Sequence, residues 1–259
     1  MKRISRISSA AILTGATLSL MPLALTPVSS FALSQSLGSG STFCTELPGK
    51  AMNITNQINT LSSKATQAWT QQDQKLATDE QKVDQDVATD RQHADTERAT
   101  DFAKLEAKAT TPAEKQAVQT YEAAVLNAVT VRRAAYDAAR QAFRTGLKNA
   151  IDSRRSTVTS QIDTFKSSAN AALATAEADC TSNTMTGTSI RQTLQASLKS
   201  ARETFQSERK SDDTIGTQAK QLAATRTAAF HTADQIFQAS LTTARQALKQ
   251  AFGSSSTSV

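Results

Sequence analysis

Cys44 and Cys180, the only two cysteines of the chain, stand 68 residues on either side of Pro112. Pro112 is also the one proline inside the long stretch that reads as helix. Equal spacing about a helix breaker is the pattern of a hairpin. Two antiparallel helices turn at Pro112, and the cysteines meet at the open end, where a disulfide closes a loop of about 136 residues.

The first residues bear on the compartment in which such a bond persists. Lys2, Arg3 and Arg6 form a basic start, Ala10 to Leu25 an apolar stretch, and Ser30-Phe31-Ala32 a small-x-small cleavage site. This predicts a secretory signal peptide over residues 1–32. Its apolar run is shorter than the ~20 residues that a spanning helix requires. Two cysteines in an exported chain are expected to be bridged. Removing the three signal charges from the 29 basic residues leaves 26 against 23 acidic ones, a net charge of +3, so the high pI owes much to the signal.

Breakers divide the rest. Residues 33–46 are rich in serine and glycine and read as a flexible linker, and residues 253–259 as a disordered tail. Between them, residues 47–252 read as a single helical domain with helices over about 48–108, 112–180 and 189–252. Thr111, Pro112 and Glu114 form a capping box at the start of the second helix. Thr188 or Ser189 is expected to cap the third, and Gly253 to end it.

Apolar residues of the second helix recur every eleven positions, as in Val125, Tyr136, Leu147, Val158, Ala169 and Cys180. An eleven-residue repeat closes three turns at ~3.67 residues per turn and keeps its stripe on one face. Weaker versions run through the other two helices. The expected fold is therefore all-α: an elongated antiparallel three-helix bundle, or coiled coil, of very long helices. With Cys44 opposite Cys180, facing residues of the first two helices sum to about 224, and those of the last two to about 368. This predicts Asp84 opposite Arg140, Glu80 opposite Arg144, and Asp90 beside Arg132 and Arg133. It also places Trp69 level with Gly216, which would make room for the indole. Tyr136, Phe143, Phe230 and Phe237 then form an inward aromatic layer.

No residue pattern points to catalysis, a cofactor or a metal. His93 and His231 fit no ligand spacing, and the chain has no G-x-S-x-G and no phosphate loop. Neighbouring carboxylates such as Asp79/Glu80 and Asp84/Asp86 do not converge on one side of a helix. A nucleic-acid partner would want a basic stripe interleaved with aromatics, which is missing. The expectation is a non-enzyme without cofactor: an exported helical rod serving as structural, spacer or protein-interaction element of the cell envelope or surface. Its partner is an unnamed protein or envelope component, with self-association left open.

In its export signal, basic pI and long Ala- and Gln-rich helical hairpins the chain resembles the Skp-type periplasmic chaperones. That resemblance implies an alternative, a periplasmic holdase gripping apolar clients between long helices. In its long exported helices it is also similar to helical-bundle pore-forming toxins, but its mature apolar runs are too short for a membrane span. The localisation expected is periplasmic, cell-surface or extracellular.

Overall fold

The computed structural model describes residues 42–211 and 215–255. The predicted signal peptide, residues 33–41 of the linker and residues 256–259 of the tail lie outside the described residues. The described chain is all helical, with no strand among the described residues. Helix α1 spans Phe43–Glu106, α2 Pro112–Ser182, α3 Gly187–Ser211 and α4 Ile215–Ser255.

The turn between α1 and α2 follows local rules. Thr111 Oγ1 accepts the backbone N–H of Glu114 at 3.2 Å, while Glu114 Oε2 accepts the N–H groups of Thr110 and Thr111 at 2.9 and 3.0 Å. The reciprocal bonds satisfy donors that a helix start leaves unpaired. The amides of Thr111 and Thr110 hold the Glu114 carboxyl below the usual carboxylate range. At its other end α2 stops where Asn183 enters the left-handed region at φ 54°, a position that asparagine tolerates.

Three boundaries differ from the sequence expectation. Helix α1 begins at Phe43, not Pro48, so Pro48 lies inside the helix. A proline there removes one backbone donor from the early turns. Phe43 and Leu47, 0% and 1% exposed, offset that loss by burying the start of the helix. The cap of α3 is Thr186, whose Oγ1 accepts the N–H of Ser189 at 3.2 Å, because the helix takes in Gly187 as its first residue. Helix α4 continues through Gly253 to Ser255. In place of one helix over 189–252 the described residues form two, α3 and α4. The intervening residues 212–214 lie outside the description.

The chain divides into two compact units. Among the described residues, one contains residues 42–77 together with residues 150–211 and 215–216. Its core joins Leu47, Ile54, Ile58 and Leu61 of α1 to Val158, Ile162, Phe165 and Leu173 of α2 and Ile190, Leu194 and Phe205 of α3. Trp69 is half-buried against this core. The other unit contains Thr78–Asn149 and the residues from Thr217. There Tyr121, Val125 and Val129 of α2 pack on Phe237, Leu241 and Ala244 of α4, with Phe102 and Leu105 of α1 partly buried beside them.

Gly216 makes no room for Trp69, since a Cβ added at Gly216 meets nothing within 4 Å. The close approach occurs at Gly146, where an added Cβ would lie 2.6 Å from Leu222 Cδ2. Facing positions in α2 and α4 explain it: 146 and 222 sum to 368, the expected register.

Candidate functional site

Between α1 and α2, three arginines of α2 each grip an aspartate of α1 in the same way. Arg144 donates from Nη1 and Nη2 to the two carboxylate oxygens of Asp84 at 3.0 and 2.7 Å, and from Nη2 to the Glu80 carbonyl at 3.4 Å. Arg133 forks onto Asp95 at 2.9 and 2.8 Å and donates to the Arg91 carbonyl at 3.3 Å. Arg155 binds Asp73 with both Nη atoms and donates to the Trp69 carbonyl at 3.4 Å. The aspartates stand eleven residues apart, and so do the arginines. Each arginine also reaches the carbonyl one turn before its aspartate.

These clamps sum to 228, not 224. Helical side chains lean toward their own N-terminus, so an α2 arginine reaches about one turn beyond the α1 residue opposite its Cα. The expected partners of Asp84 and Asp90 are corrected accordingly. Asp84 binds Arg144 rather than Arg140, Arg133 binds Asp95, and Arg132 turns to Asp234 of α4 at 2.7 Å. Glu80 keeps a distant contact with Arg144 at 3.9 Å. Hydrogen bonding to Arg133 is the main cause that holds the Asp95 carboxyl down at about 2. Arg144 lowers Asp84, and Arg91 lowers Asp137, in the same manner.

Continued by eleven residues, the ladder reaches Glu106 and Glu122, where the arginine position holds an acid. Burial, followed by the charge of Glu106, pushes the Glu122 carboxyl up. Its Oε1 is buried without a hydrogen-bond partner.

The α2–α4 seam uses rings. Tyr136 and Phe230 stack with centroids 4.2 Å apart, and Tyr136 donates its hydroxyl to Asp234 at 2.8 Å. The Arg132 guanidinium lies 4.9 Å from the Phe237 ring centre, and that of Arg226 lies 4.5 Å from Phe143. Tyr136, Phe143 and Phe237 are buried and Phe230 is half-buried.

Cys44 and Cys180 sit at disulfide distance with Cα atoms 5.5 Å apart, partly buried against the first core described. His93 and His231 are exposed on different helices. Among the described residues no cluster of His, Cys, Asp and Glu is placed to hold a metal ion, and no helix is long and apolar enough to cross a membrane.

A groove of about 570 Å³ runs between α2 and α3 from Gln161 and Glu208 to Asp179 and Ile190. Its outer walls carry small side chains such as Ser168 and Ser197. Gln161 is 9% exposed, and its Oε1 has no hydrogen-bond partner. Sequence reading missed Gln161 because its burial depends on how the helices pack. It missed the clamps at Asp73 and Asp95 too, although their common eleven-residue step with Asp84 was visible. No family model, curated protein or solved structure matches the chain.

Proposed function

We propose that the protein is an exported, non-enzymatic helical spacer or protein-interaction element of the cell envelope or surface, built as antiparallel bundled helices with an eleven-residue period. The observation that carries this reading is the ladder of Arg–Asp clamps at Asp73, Asp84 and Asp95. A fork onto a carboxylate fixes geometry more than it adds stability, because exposed pairs contribute roughly 0–1 kcal/mol each. Repeated at one interval, it holds two long helices in a single register. Asp84 of the acidic run of α1, with Asp73 and Asp95 one step to either side, is thus engaged in helix pairing.

The placement of Cys44 and Cys180 supports an oxidising compartment. Burial of Tyr136, Phe143 and Phe237 favours a packed element over a holdase that displays its rings to clients. The test is capture from envelope and culture-supernatant fractions with the disulfide intact, beside a light-scattering assay of unfolded-client aggregation. A specific partner with no client protection is expected. Suppression of aggregation without a specific partner would replace this reading with the holdase.

A further inference from the structure

Arg132, Tyr136 and Phe143 of α2 are matched in α4 by Arg226, Phe230 and Phe237 at a constant offset of 94 residues. In the fold these two stretches pair about a local pseudo-two-fold axis. Tyr136 and Phe230 stack on that axis, with ring planes 6° apart. On one side the Arg132 guanidinium lies 4.9 Å from the Phe237 ring centre and 5.1 Å from that of Tyr136. On the other, Arg226 lies 4.5 Å from Phe143 and 6.0 Å from Phe230. Each contact therefore has its twin.

The twins differ at one position. Arg132 donates its Nε to Asp234 at 2.7 Å. The same offset relates Asp234 to Arg140, so the charge beside Arg226 is a second cation where its twin has a carboxylate. We infer that Arg226 and Arg140 together form a carboxylate-binding site, in which a ligand supplies the group that Asp234 supplies on the other side of the axis.

Burial, followed by the charge of Arg140, pushes the pKa of the Arg226 guanidinium down, and a bound anion relieves both causes. The Nε of Arg226 is sealed in. Its two Nη groups are not, and among the described residues they have no acceptor. The rings of Phe143 and Phe230 lie against the guanidinium face, which leaves the N–H groups in its plane for an acceptor, and a carboxylate takes two of them at once. The acids near Arg140 are already engaged. Asp137 accepts from Arg91 as well as from Arg140, and Asp84 is gripped by Arg144. The missing charge is thus a ligand's carboxylate, carried by a small organic acid or by an acidic side chain of a partner protein.

The test follows the guanidinium Nε–H resonances of the full, disulfide-intact protein by NMR at about pH 6, where added carboxylates are largely ionised. Sodium acetate and a capped peptide of alternating Ala and Glu are titrated separately, each against sodium chloride of equal ionic strength. The Arg226 resonance, assigned by its loss in Arg226→Lys, should move saturably while that of Arg132, whose carboxylate is already in place, stays. Tighter binding of the peptide than of acetate assigns the site to an acidic side chain of a partner, and acetate binding as tightly as the peptide assigns it to a small organic acid. Arg140→Gln should weaken binding about fivefold, since one of the two cations is gone. The shift in the parent decides the matter if that variant does not fold. No saturable movement of Arg226, equal movement of Arg132, the same movement with chloride, or undiminished binding to a folded Arg140→Gln would overturn the proposal. Inorganic phosphate binding more tightly than both carboxylates would overturn it as well.

Discussion

Removing the link between Cys44 and Cys180 tests the architecture at its open end. The bond spans 136 residues of sequence. The chain-entropy relation gives about 5 kcal/mol for a loop of that length at 25 °C, an upper figure because residual order in the unfolded chain reduces it. For a chain of this size each kcal/mol moves the melting temperature by roughly 2–4 °C, so the shift should approach 10–20 °C. The double variant Cys44→Ala/Cys180→Ala is the right perturbation, since neither partner is left as a free thiol. Its effect should reach the start of α1, where Pro48 lacks a backbone donor and Phe43 and Leu47 anchor the first turns. Thermal melts by circular dichroism, with and without reductant, supply the magnitude, and amide exchange over residues 44–51 the location. The reasoning fails if thiol labelling finds both cysteines free after oxidising purification, or if the double variant melts within 2 °C of the parent.

Asp95 has a folded pKa of about 2, below its ordinary 3.8, so its pairing stabilises the fold above pH 4. That contribution, about 1 kcal/mol for a half-exposed carboxylate, should disappear as the pH falls from 4 toward 2. Acid titration of Asp95→Asn against the parent checks it, and a constant difference across that range would refute it. Phe237→Ala should cost about 3–5 kcal/mol in urea unfolding, because the ring is 5% exposed and packs under Arg132. A loss below 1 kcal/mol would instead describe a displayed ring. Glu122→Arg should place an arginine opposite Glu106 at the next step of the ladder and raise stability by about 1 kcal/mol at pH 7. Glu122→Gln should also stabilise at pH 7 but not at pH 3, since a carboxyl whose pKa is raised by folding destabilises only when ionised.

What could be read from sequence follows the range of the forces involved. The capping box at Thr111 and Glu114 involves four neighbouring residues, and the structure holds those bonds. The spacing of Cys44 and Cys180 about Pro112 depends only on counting along two regular helices. The misreadings arise where a distant segment decides. Pro48 read as a first helical residue because the burial of Phe43 and Leu47 is supplied by other helices. Gly216 read as the position that makes room, whereas Leu222 crowds Gly146. The clamps fell one turn from their expected partners because the reading matched backbones, and long arginines reach past the residue opposite. Gln161 looked like any polar helix residue, and its orphaned oxygen arises only once the helices pack.

The two faces of α2 hold their neighbours by different means, and this sets where the protein should open. All the buried side chains of α1 lie from Phe43 to Ala65, and none of its residues from 66 to 106 is fully buried. In the unit that contains Thr78–Asn149, α1 is therefore held by half-buried aliphatics, Phe102, Leu105, and the ion pairs of Asp84, Asp95 and Arg91. In that same unit α4 is held mainly by Phe237, Leu241 and stacked rings, with a part-buried Arg132–Asp234 pair that salt screens less than exposed ones. Salt weakens the first kind of contact and leaves the second nearly untouched, because the Debye length falls from about 10 Å at 0.1 M to about 3 Å at 1 M. Amides of α1 over residues 80–100 should accordingly exchange several-fold faster at 1 M sodium chloride than at 0.1 M, while those of α4 over residues 230–245 keep their rates. Local opening draws on segments with few buried apolar contacts, so the middle of α1 is where a groove for an apolar client would have to appear. Equal salt sensitivity of the two segments would mean that ion pairing does not hold α1, and the ladder would lose its role as the device that sets register.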